Sequence, residues 1–144
     1  MIEQDTIKLL RECDAGARMG VSSIEDVLGH TRSDAMEKCL TDSKRAHEGL
    51  ETEIQEQLDR YKDKGKEPPA LASVMSEVMT NMKLAMHESD ATIANLMTDG
   101  CNMGVKSLSR YLNQYAAADE KSKDIAKRLI SLEEQLAVDL RGYL

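Results

Sequence analysis

The amino-acid sequence predicts an all-α protein: a four-helix bundle built from two duplicated helical hairpins, with a long crossover connection between them. Apolar residues recur at alternating intervals of three and four positions on both sides of the chain's midpoint, and no segment shows the β-branched alternation of a strand. The chain has only two prolines, and they are adjacent at Pro68 and Pro69. The third observation is a sequence match between the two halves, described below.

The first predicted helix runs from about Asp5 to Leu28, and Gly29 supplies a natural C-terminal stop. The second begins at residues 31–34, Thr-Arg-Ser-Asp, where a threonine precedes an acid by three residues as in a capping box. Its inward-facing pattern continues to about Tyr61. These two helices form the first hairpin.

A polar connector follows at residues 61–69, because proline cannot continue a helix and restricts the residue before it. A shorter third helix is predicted from Leu71 to about His87, inside the crossover. The fourth helix begins after a cap at Ser89 or Asp90 and ends near Tyr115.

The fifth predicted helix begins near Asp119 and nearly reaches the C-terminus. It pairs with the fourth to form the second hairpin. The sequence therefore predicts a single domain, residues 1–144, whose parts are hairpin one at about 5–61, the crossover at 62–88 and hairpin two at about 89–143.

The two halves share a glycine-bearing motif. Residues 16–24, GARMGVSSI, align with residues 100–108, GCNMGVKSL, and five of the nine positions are identical. We interpret the match as a duplication of the hairpin. The same offset of 84 pairs Asp14 with Thr98, and with two residues added in the second half the alignment pairs His47 with Glu133.

This layout, together with the motif at residues 99–104, Asp-Gly-Cys-Asn-Met-Gly, resembles the small bacterial ferritin-like proteins of unknown function. Two hairpins joined by one long crossover are the ferritin-like arrangement. The resemblance covers nearly the whole chain in architecture and a short stretch in sequence. It implies a bacterial protein whose bundle is ancestrally suited to two metal ions.

The inward faces of the first two helices are apolar except near the middle, where Asp14 and His47 stand. These residues are equally far along the chain from the turn between Gly29 and Arg32, so we expect them to face each other. Because unpaired buried charge is costly, they should form a hydrogen-bonded network, with Lys44 as a further member.

The alternative for this layer is an iron or manganese site. Carboxylate-bridged sites use a Glu from each of two helices and a Glu-x-x-His from each of the other two. Here the tetrapeptide is Lys44-Arg45-Ala46-His47, with an ammonium where a ligand carboxylate should stand. We therefore expect no metal or other cofactor and no catalytic residue. If a metal binds, the candidate ligands are Asp14, His47, Asp99 and Glu133.

Two stripes of small or flexible residues remain. Gly16 and Gly20, with Gly100 and Gly104, predict close packing of the first helix on the fourth, and room for a ligand is the alternative. The crossover helix carries a methionine stripe that covers the core or binds a partner or a second copy of the chain. A copper site with His87 is a further alternative. The stripe consists of Met75, Met79, Met82 and Met86.

Composition narrows the function classes. The chain has 26 acidic and 19 basic residues, four tyrosines and no Phe or Trp, so it lacks the basic stripes and stacking platforms of nucleic-acid binders. Its apolar runs are too short for a membrane span, and its N-terminus does not resemble a signal peptide. Cys13, Cys39 and Cys101 are odd in number and widely spaced, which indicates reduced thiols in a cytoplasm.

The sequence therefore predicts a non-enzymatic helical bundle with a degenerate metal site, acting through protein contacts. The competing hypothesis is an iron- or manganese-dependent oxidoreductase or metal-storage bundle.

Overall fold

The computed structural model describes residues 2–66 and 88–144. Within these ranges the chain forms four long helices and no strand, which confirms the all-α class and the four-helix bundle. A 3₁₀ turn, Arg141–Tyr143, follows the last helix. The predicted crossover helix and its methionine stripe lie outside the described residues. The helices are α1 (Ile2–Leu28), α2 (Asp34–Arg60), α3 (Asp90–Gln114) and α4 (Glu120–Leu140).

Side-chain caps mark where three of the helices begin. The Oγ of Ser89 accepts a hydrogen bond from the Thr92 backbone N–H at 3.1 Å, as the sequence predicts for the start of α3. The cap of α2 is Ser33, whose Oγ accepts from the Met36 N–H at 3.3 Å. The predicted Thr31 cap is wrong, because the Thr31 hydroxyl donates backward to the Leu28 carbonyl at 3.1 Å. Asp119 caps α4.

Hydrogen bonds between helix ends and turns show the direction of each helix. The carboxylate of Asp90, at the start of α3, accepts the backbone N–H groups of Arg32 and Ser33 in the α1–α2 turn, at 2.8 and 3.0 Å. At the opposite end, Thr6 near the start of α1 accepts from the Asp119 N–H at 2.8 Å. Thus α3 runs antiparallel to α1 and parallel to α2, in an up-down-down-up order.

The chain leaving α2 folds back onto α1. Arg11 binds Asp63 with a shortest N–O distance of 2.6 Å, and Lys66 binds Glu12 at 2.6 Å. Residue 66 lies beside the first half of α1, whereas residue 90 lies near the C-terminal end of α1.

The buried apolar side chains form two clusters, one toward each end of the bundle. The first lies around Leu9, Leu58 and Leu129, and the second lies around Ile24, Met36 and Leu140. In every helix, a gap of several residues separates the members of one cluster from those of the other. The buried polar residues Ser43, His47 and Glu133 lie in this gap.

Candidate functional site

A buried ion pair joins α2 to α4 in the middle of the bundle. The Nε2 of His47 lies 2.7 Å from the Oε1 of Glu133. His47 is 0% exposed and Glu133 is 8% exposed. The other ring nitrogen, Nδ1, lies 2.8 Å from the backbone carbonyl of Ser43, one turn earlier in α2. Because a carbonyl only accepts, Nδ1 carries a proton and donates it there.

The surroundings of His47 favour its charged form. Burial alone lowers its pKa, but the hydrogen bond to Glu133, the charge of Glu133, the Ser43 carbonyl and the charge of Glu51 outweigh burial. The pKa of His47 is therefore raised above its ordinary value. The two side chains form an imidazolium–carboxylate pair, which we call the central ion pair.

Two glycines of the repeated motif lie beside the central ion pair, and one of them, Gly20, makes room for it. A Cβ atom at Gly20 of α1 would lie 2.6 Å from two ring atoms of His47 and 3.3 Å from the Glu133 carboxylate. A Cβ atom at Gly104 of α3 would lie 3.7 Å from the Glu133 carboxyl carbon. The alignment of the two halves pairs these glycines with each other, as it pairs His47 with Glu133.

Of the packing of α1 on α3 that the glycines predict, the structure shows a contact at Gly16, whereas Gly20 faces the other two helices. The nearest atoms to Gly20 belong to α2 and α4, and Gly16 meets Leu108 of α3 and Leu129 of α4 at ordinary van der Waals distance. The His47 ring, rather than a ligand, fills the space beside Gly20. Gly100 has no neighbour within 4 Å of its Cβ position among the described residues.

Asp14 does not pair with His47, so that prediction is wrong. The Asp14 carboxylate is fully buried and accepts from the Arg18 Nε at 3.1 Å, the Gln55 amide at 3.0 Å and the Lys66 backbone N–H at 2.9 Å. Side chains on a helix lean toward its own N-terminus. Since α1 and α2 are antiparallel, Asp14 and His47 lean apart although they start at similar heights.

The remaining predicted site residues lie elsewhere. The Nζ of Lys44 is 3.3 Å from the carboxylate of Glu25, so this lysine is not a member of the interior network as predicted. Asp99 is exposed on α3. The Thr98 hydroxyl, at the position equivalent to Asp14, donates to the Asn95 carbonyl at 3.2 Å. Of the four candidate metal ligands, the structure brings only His47 and Glu133 together.

Cys101 is a member of the site that the sequence interpretation did not place there. Burial, the charge of Glu133 and a hydrogen bond to Glu133 all raise the pKa of its thiol. Burial, with the charges of Glu12 and Asp14, raises the pKa of the Cys13 thiol to about 12. Both thiols therefore stay protonated, and neither is an activated nucleophile.

The donor set at the centre is small. Within residues 2–66 and 88–144, no group of three or more His, Cys, Asp or Glu side chains is arranged to hold a metal ion. His47 and Glu133 already bind each other, and the thiol of Cys101 beside them stays protonated. Chemically, the arrangement can store a proton on His47 and fix α2 against α4.

Comparisons with known proteins find no relative of this chain. The sequence matches no protein-family model and no curated protein, and the structure matches no solved structure. None of the helices in the described part of the chain combines the length and the apolar character needed to cross a membrane.

Proposed function

We propose that this chain is a non-enzymatic ferritin-like bundle that acts through protein contacts, with an ion pair where a ferritin-like protein holds its metals. The observation that supports the proposal is the 2.7 Å contact between the His47 imidazole and the Glu133 carboxylate at mid-bundle. The up-down-down-up order of the helices also fits, since ferritin-like bundles have one long crossover.

Charge neutralisation supports a structural role for this interior. In a di-metal bundle, the ions compensate carboxylates that converge from several helices. Here the imidazolium of His47 compensates Glu133, while Arg18, Gln55 and the Lys66 N–H satisfy Asp14. A metal ion at Glu133 would have to displace His47 or share the carboxylate with a buried cation, and both changes are unfavourable.

One observation favours the iron or manganese alternative. Burial, Asp14 and Glu48 raise the pKa of Glu51, against the opposing charges of Arg18 and His47. Burial is the largest cause of this shift, so Glu51 is a partly buried acid near the Asp14 carboxylate, and a metal-binding bundle would need such acids. The alternative requires His47 to lose its proton and turn toward these acids.

The proposed mode of action is through partners, in the cytoplasm of a bacterium. The family resemblance supports the source, and three unpaired thiols support the reducing compartment. The surface expected to meet a partner protein or a second copy of the chain is the methionine stripe at Met75, Met79, Met82 and Met86, outside the described residues.

Metal content tests the proposal directly. The full chain is expressed in medium supplemented with iron or manganese, purified without chelator and assayed for bound metal by mass spectrometry. Its melting temperature is then compared in added metal and in chelator, because binding to the native state alone raises stability. We expect far less than one ion per chain and an unchanged melting temperature. Two ions per chain with a chelator-sensitive melting temperature would instead establish the metal-dependent alternative.

A further inference from the structure

A second feature is a pocket that neither residue of the central ion pair lines. A pocket of about 400 Å³ opens between α2, α4 and the C-terminal 3₁₀ turn. Leu132 and Leu136 supply apolar lining, and Asp42, Ser43, Asp139 and Tyr143 supply polar groups. The volume lies in the range of roughly 300–1,000 Å³ that is typical of small-molecule sites.

The charged lining of this pocket is entirely negative, since no lining residue is basic. Asp42 of α2 contacts the exposed Lys38 at 2.8 Å, a surface ion pair of little strength. Asp139 of α4 accepts from a neutral donor, the Gln135 amide, at 2.7 Å. Two carboxylates from two helices therefore border the same space, and one of them is bound by an uncharged group.

A buried hydroxyl adds a third polar group. Ser43 lines the pocket although it is only 7% exposed. Among the described residues, its hydroxyl has one hydrogen-bond neighbour, the His47 Nδ1 at 3.5 Å. The Nδ1 proton is directed to the Ser43 carbonyl at 2.8 Å instead. The Ser43 oxygen consequently keeps accepting capacity for a donor in the pocket.

We propose that this pocket binds a small organic ammonium ion with an apolar stem. Ammonium N–H groups donate to carboxylate and hydroxyl oxygens, and the stem packs on Leu132 and Leu136. A bare divalent cation fits less well, because such ions need several convergent oxygen ligands, while part of the lining is apolar. The proposal is independent of the proposed function, since it uses neither the central ion pair nor the methionine stripe.

Calorimetry with 1,5-diaminopentane on the full chain tests the proposal. We expect saturable binding, weakened by about tenfold in each of Asp42→Asn and Asp139→Asn, as for the loss of one charged contact. The control is Asp59→Asn, which removes the same charge from the far end of α2. Pentanol, which has a stem but no cationic group, should not bind. Each variant is first checked for an unchanged helical circular dichroism spectrum and melting temperature.

Cys39 gives a second measurement that does not depend on the variants. This half-buried thiol lines the pocket, whereas Cys13 and Cys101 are buried. Saturating diaminopentane should slow alkylation of Cys39 several-fold in the wild-type protein. Equal weakening by Asp59→Asn would mean general attraction to an acidic protein. That result, no saturable binding, or an unprotected Cys39 would overturn the proposal.

Discussion

Gly20 of α1 faces the ring of His47 so closely that a Cβ atom at residue 20 would lie 2.6 Å from the Cδ2 and Nε2 atoms. The imidazole cannot yield easily, because its two nitrogens are held by Ser43 and Glu133 on opposite sides. Because Gly20 has no Cβ atom, it leaves the space in which the central ion pair forms.

Replacing Gly20 with Ala should destabilise the fold. The added methyl group forces the buried ring out of its hydrogen bonds, and overpacking of this kind costs about 1–3 kcal/mol. The helix propensity of alanine returns about 1 kcal/mol of that cost. We expect a lower midpoint of urea unfolding, monitored by circular dichroism.

The matched control is Gly100→Ala in α3, where nothing lies within 4 Å of the Cβ position among the described residues. This exposed helical site should gain up to about 1 kcal/mol. A neutral Gly20→Ala variant together with a stabilised Gly100→Ala variant would contradict the tight contact with His47.

The central ion pair should show strong energetic coupling. Glu133→Gln leaves a buried imidazolium without its carboxylate, and we expect a loss of about 3 kcal/mol. Adding His47→Gln to this variant should cost little more, because the interaction is already broken. The measurement is a double-mutant cycle from urea unfolding. In contrast, His47→Gln and Asp14→Asn should be additive, because these side chains bind different partners.

Stability should fall as the pH rises through the folded-state pKa of His47. That pKa is raised above its ordinary value of about 6.5, so the folded protein holds the proton more tightly than the unfolded chain. The contribution is complete below about pH 6.5 and is lost as the pH passes the raised pKa. Unfolding free energies from pH 6 to 9 should decline in the wild type and decline less in His47→Gln. Parallel curves for the two proteins would show that folding does not raise the pKa of His47.

Gly65→Ala should loosen the chain that leaves α2. Gly65 has a φ of +84°, which favours glycine, and its Cβ position collides with the Asp14 carboxylate and lies 3.1 Å from Leu58. We expect a loss of about 2 kcal/mol. Gly49→Ala, at an uncrowded position of α2, is the control and should not destabilise. Faster hydrogen exchange at the Lys66 amide, which binds Asp14, would locate the effect.

Much of the fold follows from the sequence because helical periodicity and caps are local signals. The periodicity places four helices within a few residues of their ends, and Ser89 caps α3 as predicted. The predicted cap of α2, Thr31, differs from the observed cap, Ser33. Either hydroxyl could accept a hydrogen bond from a backbone N–H of the first turn, and only the turn geometry decides between them.

The site was less predictable because it depends on side-chain direction between helices. Chain distance from the turn predicts that Asp14 and His47 start at similar heights, but it does not show which way their side chains lean. The alignment of the halves held the stronger signal, since it pairs His47 with Glu133 and Gly20 with Gly104. The contact of Cys101 with Glu133 had no separate signal in the spacing.

The two apolar clusters, with one charged contact between them, have a consequence for how the helices can slide. A shift of α4 by one turn, about 5.4 Å, would move Glu133 away from His47 and leave a leucine-rich face against an imidazolium. An interface made only of apolar side chains tolerates such a shift, because each leucine then packs against another apolar side chain with nearly the same free energy. A lone charged pair does not, and buried polar contacts are best known for selecting one register among several. We therefore expect the central ion pair to fix the register of α2 against α4. A variant in which both side chains are made apolar should populate more than one register, even if its free energy of unfolding increases.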